Sequence, residues 1–446
     1  MARPQNTHLP TTMEECLLRG WQEVDIVFVT GDSYVDHPSF GVALLGRLLE
    51  SEGYRVAILP QPHHHGPEDF RRFGKPKICF AITAGSLDSI VANYTGNGKV
   101  REQDSYSPDG NPWRCGKHEK ANRRRPDRAT IAYANLARAA YGDAYIILGG
   151  VEASLRRFIH FDYKQNKLRN SVLTDAKADL LLYGMAERAL LSVACDLAEK
   201  RLPVALRGSC IRLSDREFED FVAHSHADKI VLLPGWYDIE NDKKKFMQAE
   251  QILDQQGRSG AESILAQRQS HGYVVQFPAQ QALNTQELDA LYALPYNRTP
   301  HPLAGNIPAY TMIRHSITIV RGCAGNCAFC AITRHQGAET TNRSKASILK
   351  EIAEVAAMDD FTGTISDLGG PTANLYGSSC TKGGCKKRDC LFPRVCRFLE
   401  TGEKEMLTLL DAAEKQPGVK KVFISSGLRL ELLLKTPRLL QRLLDR

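Results

Sequence analysis

Ser316-Ile-Thr-Ile-Val320-Arg-Gly-Cys323-Ala-Gly-Asn-Cys327-Ala-Phe-Cys330 is a β-rich run that breaks at a glycine and delivers three cysteines on one short loop. Their spacing is Cys-x3-Cys-x2-Cys. Three thiolates so placed suit a four-iron cubane, each ligating one iron and leaving the fourth without a protein ligand. Fully ligated clusters use four thiolates. An open iron is a place to bind a chelating cofactor. Gly322 and Gly325 let the backbone bend tightly enough to aim three thiols at one centre. Phe329 is placed to cover the site and limit water access. A zinc site, or three buried thiols without metal, is the competing reading of the same residues.

The rest of the cysteine usage sharpens this. The chain has 446 residues and twelve cysteines, and its N-terminal stretch, with Glu14 and Glu15, lacks an apolar signal core. A disulfide framework is therefore the weaker expectation, and a reducing, cytoplasmic setting the stronger. Five cysteines are scattered (Cys16, Cys79, Cys115, Cys195 and Cys210) and read as small buried hydrophobes. Seven crowd between Cys323 and Cys396, where soft thiolate ligands suit iron–sulfur clusters or zinc. A composition of 43% hydrophobic and 24% charged residues is that of a folded chain, long enough for two or three domains. No apolar stretch reaches the roughly eighteen residues of a membrane span. The net charge of +7 is compatible with anionic partners without demanding nucleic acid. Phosphate-loop, zinc-protease and serine-elbow motifs are absent.

Upstream, strand and helix signals alternate. Asp25-Ile-Val-Phe-Val-Thr30, Arg55-Val-Ala-Ile-Leu59, Lys77-Ile-Cys-Phe-Ala-Ile-Thr83, Tyr145-Ile-Ile-Leu148 and Asp179-Leu-Leu-Leu-Tyr183 read as strands, with helical spacing over 40–52, 127–141 and 187–199. This predicts an α/β fold over 1–200, Rossmann-like and doubly wound, with ligands expected at the carboxyl ends of its strands. Residues 100–128, ending in Arg123-Arg-Arg125, read as a solvated polar insertion able to contact phosphate or nucleic acid. His63-His-His65 reads as a solvated loop. Residues 201–315 read as a mixed connecting region that ends in a proline-rich linker, 294–302. A second alternation fills 316–446: strands at 316–320, 363–366 and 421–425, helices at 343–358, 403–414 and 437–444.

The cysteine loop resembles the signature of radical S-adenosylmethionine (SAM) enzymes. Ile307-Pro-Ala-Tyr-Thr-Met-Ile-Arg314, Cys330-Ala-Ile-Thr-Arg-His-Gln-Gly337 and Asp367-Leu-Gly-Gly-Pro-Thr-Ala-Asn-Leu-Tyr-Gly377 narrow the likeness to the YgiQ-type radical SAM family. Ala81-Ile-Thr-Ala-Gly85 and Gly149-Gly-Val-Glu-Ala-Ser154 do the same in the first domain. The resemblance implies a [4Fe-4S] cluster on Cys323, Cys327 and Cys330, whose open iron takes SAM. It implies reductive cleavage to a 5′-deoxyadenosyl radical, with electrons from a flavodoxin or ferredoxin, and it names no substrate. It also implies that Gly369 and Gly370 help seat SAM, although Pro371 stands where the usual motif is acidic. The fold implied is a cobalamin-binding-like doubly wound domain followed by a partial (β/α) radical SAM barrel. That barrel would be incomplete at the C-terminus, since six strands are usual and three appear.

Two further features stay open. Cys380, Cys385, Cys390 and Cys396, in the cysteine-rich loop 378–397, are candidates for a second cluster or a zinc ion, with Lys386, Lys387 and Arg388 to offset thiolate charge. Gly31-Asp-Ser-Tyr-Val-Asp36-His37-Pro-Ser-Phe-Gly41 approaches the pattern that presents a histidine to cobalt, but its spacing fails, leaving only histidine-independent cobalamin binding. The alternatives to an active enzyme are an inactive truncated remnant and a metal-stabilised nucleic-acid-binding module.

Overall fold

A computed structural model describes residues 7–115, 120–225, 229–325, 327–382, 385 and 390–445. The chain divides into two units. One comprises 1–254, 262–280 and 295–309, the other 255–261, 281–294 and 310–446.

The first unit is built on nine strands: β1 (Ile26–Thr30), β2 (Val56–Pro60), β3 (Cys79–Thr83), β4 (Ile146–Leu148), β5 (Leu180–Leu182), β6 (Ser209–Leu213), β7 (Ile230–Leu233), β8 (Ile264–Arg268) and β9 (Tyr273–Gln276). Their spatial order is β2-β1-β3-β4-β5-β6-β9-β8-β7. The first five are parallel, with Phe28 at the centre of β1 facing Ile58 on one side and Ala81 on the other. Their sequences, such as IVFVT and CFAIT, are unbroken apolar runs because helices cover both faces. Helices α1 (Gly41–Ser51), α2 (Ala129–Ala140) and α3 (Glu187–Ala198) are among those crossovers. The chain order reverses between β1 and β3, which is where ligands sit in such sheets.

Residues 209–276 extend this sheet with β6 to β9 rather than leading out of it. Two of these strands, β8 and β9, carry buried glutamines that blur their hydropathy pattern. Gln267 accepts from the Ile159 amide at 2.8 Å, and Gln276 from Arg157 Nε at 2.7 Å. The proline-rich segment is not a free linker. Val35 bridges Pro300, the Arg298 amide donates to Asp36 O, and the His301 amide donates to Tyr34 O.

The insertion over 100–128 is not solvated where its charges are densest. Arg123 is 2% exposed and Arg125 1%. Arg123 lies 5.0 Å from the ring centres of both Tyr94 and Trp113 and ion-pairs with Asp127. Arg125 reaches to the ends of β1 and β3, pairing with Asp32 at 2.6 Å and Asp104 at 3.0 Å and donating from Nε to Ala84 O. Burial works against its charge, but Asp32 and Asp104 carry its pKa above the ordinary value. Charges that close on one another inside the fold are not offered to phosphate. His64 and His65 bond the carbonyls of Arg123 and Ala121, tying the tract to the insertion. Of the scattered cysteines, Cys16, Cys79 and Cys210 are buried as expected, whereas Cys115 and Cys195 are exposed.

The second unit holds β10 (Ser316–Thr318), β11 (Val320–Arg321), β12 (Thr341–Asn342), β13 (Thr364–Ile365), β14 (Asp367–Gly369), and later Lys421–Val422. The strand at 316–318 pairs in parallel with β14, and β13 pairs in parallel with Lys421–Val422. Three parallel strands thus lie side by side, followed in the chain by helices α5 (Lys345–Ala356), α6 (Glu403–Glu414) and α7 (Pro437–Leu444), after α4 (Thr285–Tyr292). Ile317, Ile348, Ile352, Leu368, Leu409 and Leu439 are among the residues of their common core. Among the described residues no helix is long and apolar enough to cross a membrane.

Two tests follow from the buried charges. Arg125→Met strands two buried aspartates and should cost about 3–5 kcal/mol, read as a lowered urea midpoint. His160 is held neutral by burial first and by the Arg156 charge second, its pKa falling to about 4 from an ordinary 6.5. The unfolded chain therefore binds the extra proton, so this contribution to stability is complete above pH 6.5 and drains as pH falls toward 4. Between pH 7 and 5 the loss should be about 2 kcal/mol, and His160→Gln should flatten that slope.

Candidate metal centre

The cysteine loop leaves its strand through a position that accepts only glycine. Gly322 has φ +76°, and a Cβ there would stand 1.8 Å from Glu339 O. The strand and the return segment touch backbone to backbone, as the antiparallel pairing of Val320 with Asn342 and Arg321 with Thr341 shows. The Gly322 amide donates to Gln336 Oε1 and the Cys323 amide to Gly337 O, both at 3.2 Å. Within the loop, the Cys330 amide donates to Cys327 O at 3.0 Å.

Cys323, Cys327 and Cys330 are free thiols, each half-buried. Burial pushes the Cys323 thiol pKa up, while the Gly325 amide, 3.4 Å from its sulfur, and the Arg429 charge pull it back. Arg429 donates from Nη1 to Cys327 Sγ at 2.8 Å and is gripped on its other edge by Glu431. From the 255–261 segment, Arg258 (6% exposed) donates to Gly325 O at 3.0 Å. Phe329 is 92% exposed, so it covers nothing here, contrary to expectation.

The glycine pair ends β14. Its neighbours come too close for side chains: a Cβ on Gly369 would meet Ser426 Oγ at 1.9 Å, and one on Gly370 would meet Val320 O at 2.4 Å. The Ile319 amide donates to Gly369 O and the Gly370 amide to Ser426 Oγ. Asp367 Oδ1 accepts from the amides of Ser425 and Ser426 at 2.7 and 3.1 Å. The first strand, the glycine pair and the turn after the third strand therefore share one end of the parallel strands. Sequence reasoning missed Arg258, Asp367, Asn374, Ser426 and Arg429. Its available signal was the run Ser425-Ser-Gly-Leu-Arg429, a polar break directly after a predicted strand.

The donor set fits the cubane. Three thiols stand on one glycine-hinged loop, with N–H groups and an arginine placed to offset negative sulfur. Among the described residues no group of three or more Cys, His, Asp or Glu side chains is placed to hold a single metal ion. Cys380 is exposed on a short strand facing Leu399, while Cys385, Cys390 and Cys396 are half-buried, with the Cys396 amide donating to Cys390 O. Gly383, Gly384, Lys386, Lys387 and Arg388 lie outside the described residues.

In the first unit a Cβ on Gly31, just past the end of β1, would meet Ala84 O at 2.2 Å and Arg125 Nε at 2.8 Å, so Arg125 packs closely against the backbone there. His37 is buried, its ring nitrogens bonded to the Ser39 amide and to Arg298.

The sequence profile described as Radical SAM N-terminal matches residues 8–316. A UPF0313 protein of Thermotoga neapolitana is 43% identical over 428 residues, covering 94% of this chain and 72% of the relative. UPF0313 proteins of Bradyrhizobium diazoefficiens and Geobacter sulfurreducens are 42% and 43% identical, with 99% and 96% of this chain and 68% and 69% of theirs covered. Among solved structures, the radical SAM methyltransferase TsrM of Kitasatospora setae aligns over 78% of this chain and 48% of its own, at 15% identity and a TM-score of 0.40.

Gly322→Ala should lower the iron bound on reconstitution well below wild type, because Glu339 must move. Gly337→Ala, at φ +88° but in open space, should keep it for about 1–2 kcal/mol of backbone strain. Iron per chain, with circular dichroism as the folding control, checks both.

Proposed function

The chain belongs to the YgiQ-type radical SAM family, and from that premise we propose that it is a radical SAM enzyme whose cluster is held by Cys323, Cys327 and Cys330. The observation that carries this is the trio of free, half-buried thiols on a glycine-hinged loop at the end of the first strand of its unit. Bound there, a reduced [4Fe-4S] cluster would supply the one electron that cleaves SAM to methionine and a 5′-deoxyadenosyl radical.

The surrounding residues supply position and electrostatics, which is the protein's share in such chemistry. Gly369 and Gly370 are the residues we assign to the SAM side of the site, at a strand end where Ser426 and Val320 pack against the space a side chain would need. Asp367 fixes the Ser425–Ser426 turn beside them. Arg123 and Arg125 of the basic insertion turn inward and are taken by Asp127, Asp32 and Asp104, which gives a nucleic-acid-binding module no support from these two residues. An electron carrier such as a flavodoxin or ferredoxin, in a reducing cytoplasmic setting, is the partner this reading asks for. Twelve free cysteines are consistent with that setting. Cys380, Cys385, Cys390 and Cys396 remain the place for a second metal.

Anaerobic reconstitution should yield about four irons for the three-cysteine site, and dithionite with SAM should release 5′-deoxyadenosine. Alanine at Cys323, Cys327 or Cys330 should abolish that release. A colourless protein carrying zinc alone, with SAM left intact, would sink the reading.

A further inference from the structure

Arg429 is held from four directions. Its backbone is clamped by Asn374, which is 4% exposed: the Arg429 amide donates to Asn374 Oδ1 and Asn374 Nδ2 donates to Arg429 O, both at 2.9 Å. The Ala373 amide donates to Gly427 O at 3.1 Å, so the segment after the second strand fixes the turn after the third. On the side chain, Glu431 takes Nε at 2.8 Å and also Nη2. That leaves Nη1 aimed at Cys327 Sγ, 2.8 Å away.

The cysteine loop is shaped to receive it. A Cβ on Gly325 would stand 3.1 Å from Arg429 Nη1 and 3.3 Å from Cys323 Sγ. Gly325, the middle one of the three residues between Cys323 and Cys327, is therefore bare where the guanidinium enters, and the guanidinium lies close to both thiol-bearing segments. A residue serving only to fold the turn would not need its one free edge directed at sulfur.

We propose that Arg429 is a positioning residue that tunes the cluster, its charge set by Glu431 and its place by Asn374. The inference rests on the cluster reading above. A cubane on three thiolates is anionic, and reduction adds another negative charge. A cation donating to a ligating sulfur stabilises the reduced form more than the oxidised one, and so raises the reduction potential. Glu431 moderates that field. The two residues should then act on the potential with opposite sign, which a purely structural role would not produce.

The test is an EPR-monitored redox titration, without SAM, of reconstituted full-length wild type, Arg429→Gln, Arg429→Lys and Glu431→Gln, with iron and sulfide counted in each. Arg429→Gln should shift the midpoint to more negative potential and Glu431→Gln to more positive. Arg429→Lys should fall between wild type and Arg429→Gln, since lysine keeps the charge but lacks the fork that reaches carboxylate and sulfur together. Loaded variants that titrate at the wild-type midpoint overturn the inference. So do two shifts of the same sign. If Arg429→Gln fails to fold or load, Glu431→Gln decides alone, and an unshifted midpoint there overturns the inference. A wild type that takes up no iron overturns the cluster reading itself, which the iron count separates from the other outcomes.

Discussion

The contact between Gly322 and the Glu339 carbonyl is the constraint on which the site depends. With 1.8 Å between that oxygen and the place a Cβ would occupy, the strand and the return segment are in backbone contact. Strand direction is transmitted straight into the direction of the loop. The same bareness recurs at Gly369 and Gly370, where Ser426 and Val320 press on the β14 end. Chemistry at the carboxyl ends of parallel strands is set by how closely backbones approach there. Here that approach is written into glycines, and the polar side chains fill the space around them.

The two units use the equivalent place differently. In the first, Arg125 reaches the strand-order reversal and pairs with Asp32 and Asp104. In the second, an arginine again stands at the strand ends, but only one edge of Arg429 is spent on a carboxylate and the other faces sulfur. An arginine neutralised by two buried aspartates has little field left for a ligand. One shared between a single carboxylate and a thiol does.

What could be read in the sequence was local, and what could not was contact between distant residues. The parallel strands announced themselves because burial on both faces forces unbroken apolar runs. The cysteine trio was visible because its ligands are neighbours in the chain. Arg125 and Asp32, 93 positions apart, gave no such sign, and a run of arginines in a polar stretch read as solvated. The same blindness hid β8 and β9, whose Gln267 and Gln276 serve the backbone at Ile159 and the side chain of Arg157. It also hid Arg429, 102 positions from the thiol it meets. Resemblance supplied the reaction type, but it did not point to the cation beside the cluster.

The distribution of buried polar bonds also separates scaffold from site. In the first unit, Glu152 accepts from the amides of Ser89 and Thr130 and from both hydroxyls, tying together the starts of two helices, and Asp88 holds Arg156 at 2.6 Å. Buried groups so fully satisfied make a fold specific, because removing any one partner strands the other. The cysteine loop is anchored at its start by Gln336 and Gly337 and further along by Arg258 on Gly325 O and Arg429 on Cys327 Sγ, while its three cysteines form no disulfide. Thiolate ligation couples metal binding to local order. A cluster on Cys323, Cys327 and Cys330 would therefore add its order to a loop that the chain already holds at Gly322, Cys323 and Gly325.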